Sequence, residues 1–272
     1  MQRALIVGIC LAIMGAVVGV HLVLRKMAFV AETLQHTVFP GIAIAFVFEF
    51  SLLAGAIAAT GLTVVLYILF GRRTSVSGDS VLAILMTTAL AIGVVVVSQR
   101  SGFQHDLTSL LFGRMLAIDD AQVTQTVVLT IAVVAAIGLL HKELIARAFD
   151  STASAALGYR PLWLDLVLNI CVAVAVVAAV RAVGTILLLA FLITPAVSAQ
   201  LLRLRIGPMV WVSLLVSAGA VVGGLVGSRW LSLEQSVDVP AGATIVVLMT
   251  AVCIVCGGIG ALRGRRASGA VS

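Results

Sequence analysis

Charge is scarce in this chain. Only 10% of its 272 residues are Asp, Glu, Lys or Arg, and the lysines are limited to Lys26 and Lys142. A soluble domain carries about a quarter charged residues. With 62% hydrophobic residues and a mean hydropathy of +1.23, this chain could not stay dispersed in water and is an integral membrane protein. Neither lysine lies in a Gly-rich loop, and no G-x-x-x-x-G-K-[ST] occurs, so the chain cannot cradle ATP phosphates in the usual way. The four cysteines (Cys10, Cys171, Cys253 and Cys256) all lie inside apolar runs, which leaves no loops for a disulfide framework to staple. Cys253 and Cys256 form a C-x-x-C with no second ligand pair nearby, so small packing residues explain them better than zinc. The alternation of a membrane barrel is also missing. Runs such as VVLTIAVVAAIGLL would leave no polar barrel face, so the fold class is all-α, a polytopic helical membrane protein.

What is present is a series of apolar runs of the roughly 20 residues that cross a bilayer core of about 30 Å. Approximate spans fall at 4–24, 28–48, 52–70, 80–98, 121–140, 162–180, 183–201, 208–230 and 243–262, giving nine helices, or eight if one is re-entrant. The first run has no small-residue cleavage site after it and is kept as a helix rather than a signal peptide. With the N-terminus outside, 12 of the 17 Lys and Arg residues fall on the cytoplasmic side, among them Arg25, Lys26, Arg72, Arg73, Arg147 and Arg203, and this asymmetry sets the orientation. The net charge of +6 is then a property of cytoplasmic loops and implies no nucleic acid partner.

The whole of 1–272 reads as one transmembrane domain, with two connections long enough for structure of their own. The outer one places Leu107, Leu110, Leu111, Met115 and Ile118 at helical spacing, an amphipathic segment over 103–118 too short to cross. A plain interfacial helix and a lid or docking surface both fit it. The inner one has Asp150 as a helix N-cap, small residues from Ser151 through Ala153 and Ala156 to Leu157, and Gly158 as the stop. A short, capped, exposed helix over 150–158 suits either an ordinary loop or a knob that transmits force from a soluble partner.

Among the polar residues inside the runs, Glu32 and His36 stand out. At i and i+4 they project from one helix face and can converge on a point, the spacing that helical metal sites use. The alternatives are an interfacial acid paired with Arg25 or Lys26 and a packed histidine. An acid at a helix centre costs about 2.5 to 3.5 kcal/mol, so it calls for a partner. Asp165 and Asn169 repeat the spacing and read as amide-to-carboxylate packing between helices. His21 and His141 sit near the ends of runs, where solvent or backbone can satisfy them. Thr194-Pro195 bends the seventh span, and Gly223, Gly224 and Gly227 permit close helix approach in the eighth.

Four stretches in order, RKMAFVAETLQHTVFPG, DLTSLLFGRMLAI, FDSTASAALGY and LLLAFLITPAVSAQLL, resemble the membrane permease subunits of ATP-binding-cassette importers for zinc, manganese and iron ions. The resemblance covers nearly the whole chain and implies an ABC-importer permease bundle. It implies a homodimer of permeases in the inner (cytoplasmic) membrane of a bacterium, a separate ATPase subunit, and an extracytoplasmic metal-binding protein. Glu32 and His36 match the family's metal-handling pair, although the family usually has Asp at the first position. FDSTASAALGY matches its coupling helix, which assigns ATPase coupling to Asp150, Ser151, Ala153, Ala156 and Gly158. The implied function is a non-enzymatic permease with no permanently bound cofactor, carrying manganese, zinc or iron transiently. A carboxylate with an imidazole suits all three ions. The competing reading is a proton-coupled secondary transporter or exporter of cations, which would place several proton-relay acids within its spans.

Overall fold

The computed structural model describes residues 2–73, 77–98, 118–150, 154, 156–235 and 241–268, and among these there is no strand. The helices are α1 (Gln2–Leu24), α2 (Ala28–Val47), α3 (Leu52–Arg73), α4 (Gly78–Ser98), α5 (Asp120–Leu139), α6 (His141–Phe149), α7 (Pro161–Val183), α8 (Thr185–Leu192), α9 (Thr194–Leu201), α10 (Ile206–Gln235) and α11 (Ala241–Ser268). Eight of them are long and apolar enough to cross a membrane, and they coincide with eight of the nine predicted spans. The outer segment at 103–118 lies outside the described residues except for Ile118, which is buried in the core.

Tight turns join the first three helices. Lys26 adopts φ +55, the Met27 N–H donates to the Leu22 carbonyl at 2.8 Å and the Lys26 N–H to Val23 at 3.1 Å, so a left-handed residue closes α1 and reverses the chain. Glu49 does the same for α2 at φ +58, with Phe50 donating to Ala45 at 3.0 Å. Each turn caps orphan carbonyls that lipid could not hydrate.

α1, α2 and α7 form the buried centre, while α4, α5 and α11 expose most of their surface. Leu11, Met14, Leu34, Leu168, Leu188 and Phe191 are fully buried within it. Without a hydrophobic drive between helices in lipid, close approach depends on small residues. Gly41 of α2 and Gly55 of α3 meet backbone to backbone: a Cβ on Gly41 would lie 2.4 Å from the Gly55 carbonyl oxygen, and one on Gly55 would lie 2.4 Å from that of Gly41. The predicted approach through Gly224 also occurs, against Ile245 of α11.

The seventh predicted span is bent as expected: α8 and α9 are separated by Ile193 alone, which stays right-handed helical, with its N–H donating to the Leu189 carbonyl and the Val197 N–H to its own, each at 2.9 Å. Pro195 has no N–H to donate to the Phe191 carbonyl four residues back. That oxygen instead abuts α1, 2.7 Å from where a Cβ on Gly15 would be, and the Leu192 carbonyl lies even closer to Gly19. α8 and α9 together pack along α11, with Leu187 near Gly242 at its start and Leu201 near Gly257 and Gly260 towards its end. At about 21 Å from Leu187 to Leu201 at 1.5 Å per residue, they are shorter than the eight membrane-length helices among the described residues. An ion pair between Arg3 and Asp120 at 2.6 Å joins the starts of α1 and α5.

Candidate functional site

α2 enters the centre of the bundle with most of its surface covered. From Val30 to Ala43 every residue is buried except Glu32, His36 and Phe39, so the one open stripe of the helix carries the acid and the imidazole. Its threonines are spent locally: Thr33 Oγ1 donates to the Phe29 carbonyl and Thr37 Oγ1 to that of Leu34, each at 2.9 Å. His36 Nε2 lies 3.5 Å from Glu32 Oε1, and the side chains keep 31% and 36% of their surface exposed. That separation exceeds the roughly 2.7 to 3.2 Å of an ordinary N–H···O bond. Two donors each about 2.1 Å from a tetrahedral ion stand about 3.4 Å apart, so the pair is spaced to share a cation.

Pro40 sits inside the same helix and removes the N–H that would pair with the His36 carbonyl. The backbone oxygen of His36 itself thus lacks its helical donor, a feature tolerated at membrane depth where it lines a cavity or packs in protein. Among the described residues no group of three or more His, Cys, Asp or Glu gathers, so at this stripe the described residues offer two side-chain donors.

The bland alternative for Glu32, a pair with Arg25, does not form. Arg25 is only 9% exposed and gives its Nη2 to Asp165 Oδ1 of α7. Arg147 of α6 gives its own Nη2 to the other carboxylate oxygen at 3.1 Å. Asp165 does make contacts between helices, but with the two arginines rather than an amide, while the Asn169 amide stays on its own helix and donates to the Asp165 backbone carbonyl at 2.8 Å. His21 is not satisfied by solvent either. It is buried, with its ring edge-on to His141 at 5.4 Å between centroids. Sequence spacing could not reveal this cluster, since Arg25 and Asp165 are 140 positions apart. Beside it a cavity of about 310 Å³ is lined by Arg25, Met27, Tyr67, Ile68, Leu162, Asp165 and Asn169.

The inner connection emerges next to this cluster. Asp150 is extended, and its carbonyl accepts the Ser154 N–H at 3.1 Å. Gly158 is left-handed at φ +84, with the Tyr159 N–H closing onto the Ser154 carbonyl at 3.2 Å. Ser151 and Ala153 lie outside the described residues. Ala156 and Gly158 are exposed, and the flanking Phe149 and Leu157 are 72% and 70% exposed, an apolar knob that none of the described residues covers.

Comparison with known proteins places this arrangement. The chain is 29% identical over 255 residues to the manganese import system permease protein ScaB of Streptococcus gordonii, covering 94% of this chain and 89% of the relative. It is 28% identical over 244 residues to the chelated iron transport system membrane protein YfeC of Yersinia pestis, covering 89% and 81%. Among solved structures, PsaBC from Streptococcus pneumoniae in complex with Fab superposes with a TM-score of 0.82 at 28% identity, over 94% of this chain and 90% of that one. The family model of the ABC 3 transport family matches residues 1–257, and the chain belongs to that family.

Proposed function

We propose that this membrane permease is one half of the path in an ATP-driven bacterial importer of a divalent transition-metal ion, with manganese the first candidate and iron the second. The names of its relatives support that choice of cargo. The observation that carries the reading is the open stripe of α2, where a carboxylate and an imidazole 3.5 Å apart face out of an otherwise buried helix. Two donors are too few to replace a hydration shell. A second copy about a two-fold axis would bring its own pair opposite and supply four. Hard carboxylate and borderline imidazole hold such ions without the thiolates that would make release slow.

The same reading assigns the exposed knob around 150–158 to a separate ATPase subunit in the cytoplasm, and the outer side to an extracytoplasmic metal-binding protein. The permease lies in the cytoplasmic membrane, with the connection at 150–158 inside.

The dimer is tested by single cysteines at Phe29 or Glu32 in a chain lacking its four native cysteines, in the complete complex in membranes. Disulfide formation between copies supports facing α2 stripes. Failure at both positions, with crosslinks instead through exposed α11 sites such as Val247, would put the two-fold axis elsewhere and leave each ion with one pair of donors.

A further inference from the structure

The cluster at Asp165 sits where three parts of the chain meet. Arg25 belongs to the turn that feeds α2, Asp165 to the first turns of α7, and Arg147 to the end of α6, so α6 and α7 flank the exposed knob and converge on one carboxylate. Lys26 and Met27 are locked to the end of α1 by the left-handed turn, and α2 begins one residue later. A helix is stiff, so a shift at that turn travels to Glu32 and His36, about 8 and 14 Å along the axis at 1.5 Å per residue.

The cluster also carries spare bonding capacity. Arg25 Nη1, Arg147 Nε and Asn169 Oδ1 are buried without a hydrogen-bond partner. Unpaired buried groups are costly and call for an explanation. Asn169 lies one helical turn along α7 from Asp165, both line the 310 Å³ cavity with Arg25, and the cavity gives the guanidinium room to move. The side-chain carbonyl of Asn169 is therefore a second acceptor within the sweep of Arg25.

We infer that Asp165 and Asn169 form a two-position ionic joint for Arg25, through which displacement of the ATPase-facing knob is passed to α2 and its metal-handling pair. Asp165 and Asn169 act as positioning residues and touch no ion. The inference rests on the reading of the knob as the ATPase contact.

The test uses the complete complex in proteoliposomes, measuring radioactive manganese uptake and ATP hydrolysis together, with thermal melting and subunit assembly followed in parallel. Asn169→Leu removes the second acceptor while keeping the Arg25–Asp165 pair. Arg25→Gln cuts the joint and leaves Asp165 with Arg147, and Arg25→Lys keeps the charge. The joint predicts that Asn169→Leu and Arg25→Gln lower ions moved per ATP by at least about tenfold in assembled complexes, and that Arg25→Lys recovers part of this. A purely structural cluster would lower melting or assembly and leave the ratio unchanged, and that result would overturn the joint even if only one of the two variants assembles. A cysteine at Ala156 that crosslinks to the ATPase separates the two failures. An unchanged ratio with that crosslink present overturns the joint alone. Absence of the crosslink in the otherwise unaltered complex overturns the docking reading and the joint with it.

Discussion

Replacing Gly41 by alanine tests the packing that holds α2 in place. The added Cβ would lie 2.4 Å from the Gly55 carbonyl oxygen and 2.7 Å from the Ala59 Cβ. Neither obstacle can rotate away, because one is backbone and the other is the stub of an alanine. Ordinary contact begins near 3.4 Å, so α2 and α3 must part by about 1 Å along that line. A gap of about 0.5 to 1 Å forfeits a quarter to a half of each pair's dispersion well. Overpacking of this kind costs about 1 to 3 kcal/mol. At about 2 to 4 °C per kcal/mol for a chain of this size, melting in detergent should fall by roughly 2 to 12 °C. Gly61→Ala is the control in α3: nothing lies within 4 Å of its Cβ position, and helix propensity favours alanine there by up to about 1 kcal/mol. Because Gly41 and Gly55 share one contact, the double alanine variant should cost less than the sum of the singles. Equal melting of the Gly41→Ala and Gly61→Ala proteins would refute the close α2–α3 crossing and the placement of Glu32 and His36 that depends on it.

Three further outcomes follow from the same geometry. Pro195→Ala restores a donor for the Phe191 carbonyl, so the amide at position 195 should become protected from hydrogen exchange as α8 and α9 join; an amide that exchanges as freely as in a loop would contradict the account of the break. A bulky Ala156→Trp on the exposed knob should leave ATP hydrolysis running while uptake falls, measured as ions moved per ATP; an unchanged ratio would remove this surface from the coupling interface. Glu32→Asp should keep uptake within about threefold, since it preserves a carboxylate with the same ligand chemistry and shortens it by one methylene. A loss as large as that of Glu32→Gln would mean that reach, not charge, governs the site.

Much of this could be read from the chain alone, for identifiable reasons. Lipid leaves little choice about where apolar runs go, so hydropathy located eight helices, and the i, i+4 spacing of Glu32 and His36 follows directly from helix geometry. The bend at Thr194-Pro195 is legible in the sequence because proline removes a helical donor. What receives the freed Phe191 carbonyl is not, because it depends on a neighbouring helix: α1, whose Gly15 and Gly19 form a G-x-x-x-G, takes the close approach. For Asp165 the sequence indicates packing between helices, which occurs, but not its partners: Arg147 lies 18 positions away and Arg25 140. Pairings of that kind are fixed by how helices pack, and no local pattern encodes them. His21 shows the same limit: near the end of a run, solvent or a backbone group could satisfy it, yet α6 brings His141 edge-on against its buried ring.

The central claim is that Glu32 and His36 handle the ion as it crosses. The direct measurement is radioactive manganese uptake into proteoliposomes holding the complete complex, with Glu32→Gln, His36→Ala and the double variant compared at equal assembly. Removing a donor from a site with so few should lower uptake by at least about tenfold, the range that even outer-shell changes reach in metal sites. The double variant should be no worse than its weaker single, because one ion is shared by both groups. Near-normal uptake by an assembled Glu32→Gln, His36→Ala complex would contradict the account and leave the pair as a polar seam on the open face of α2.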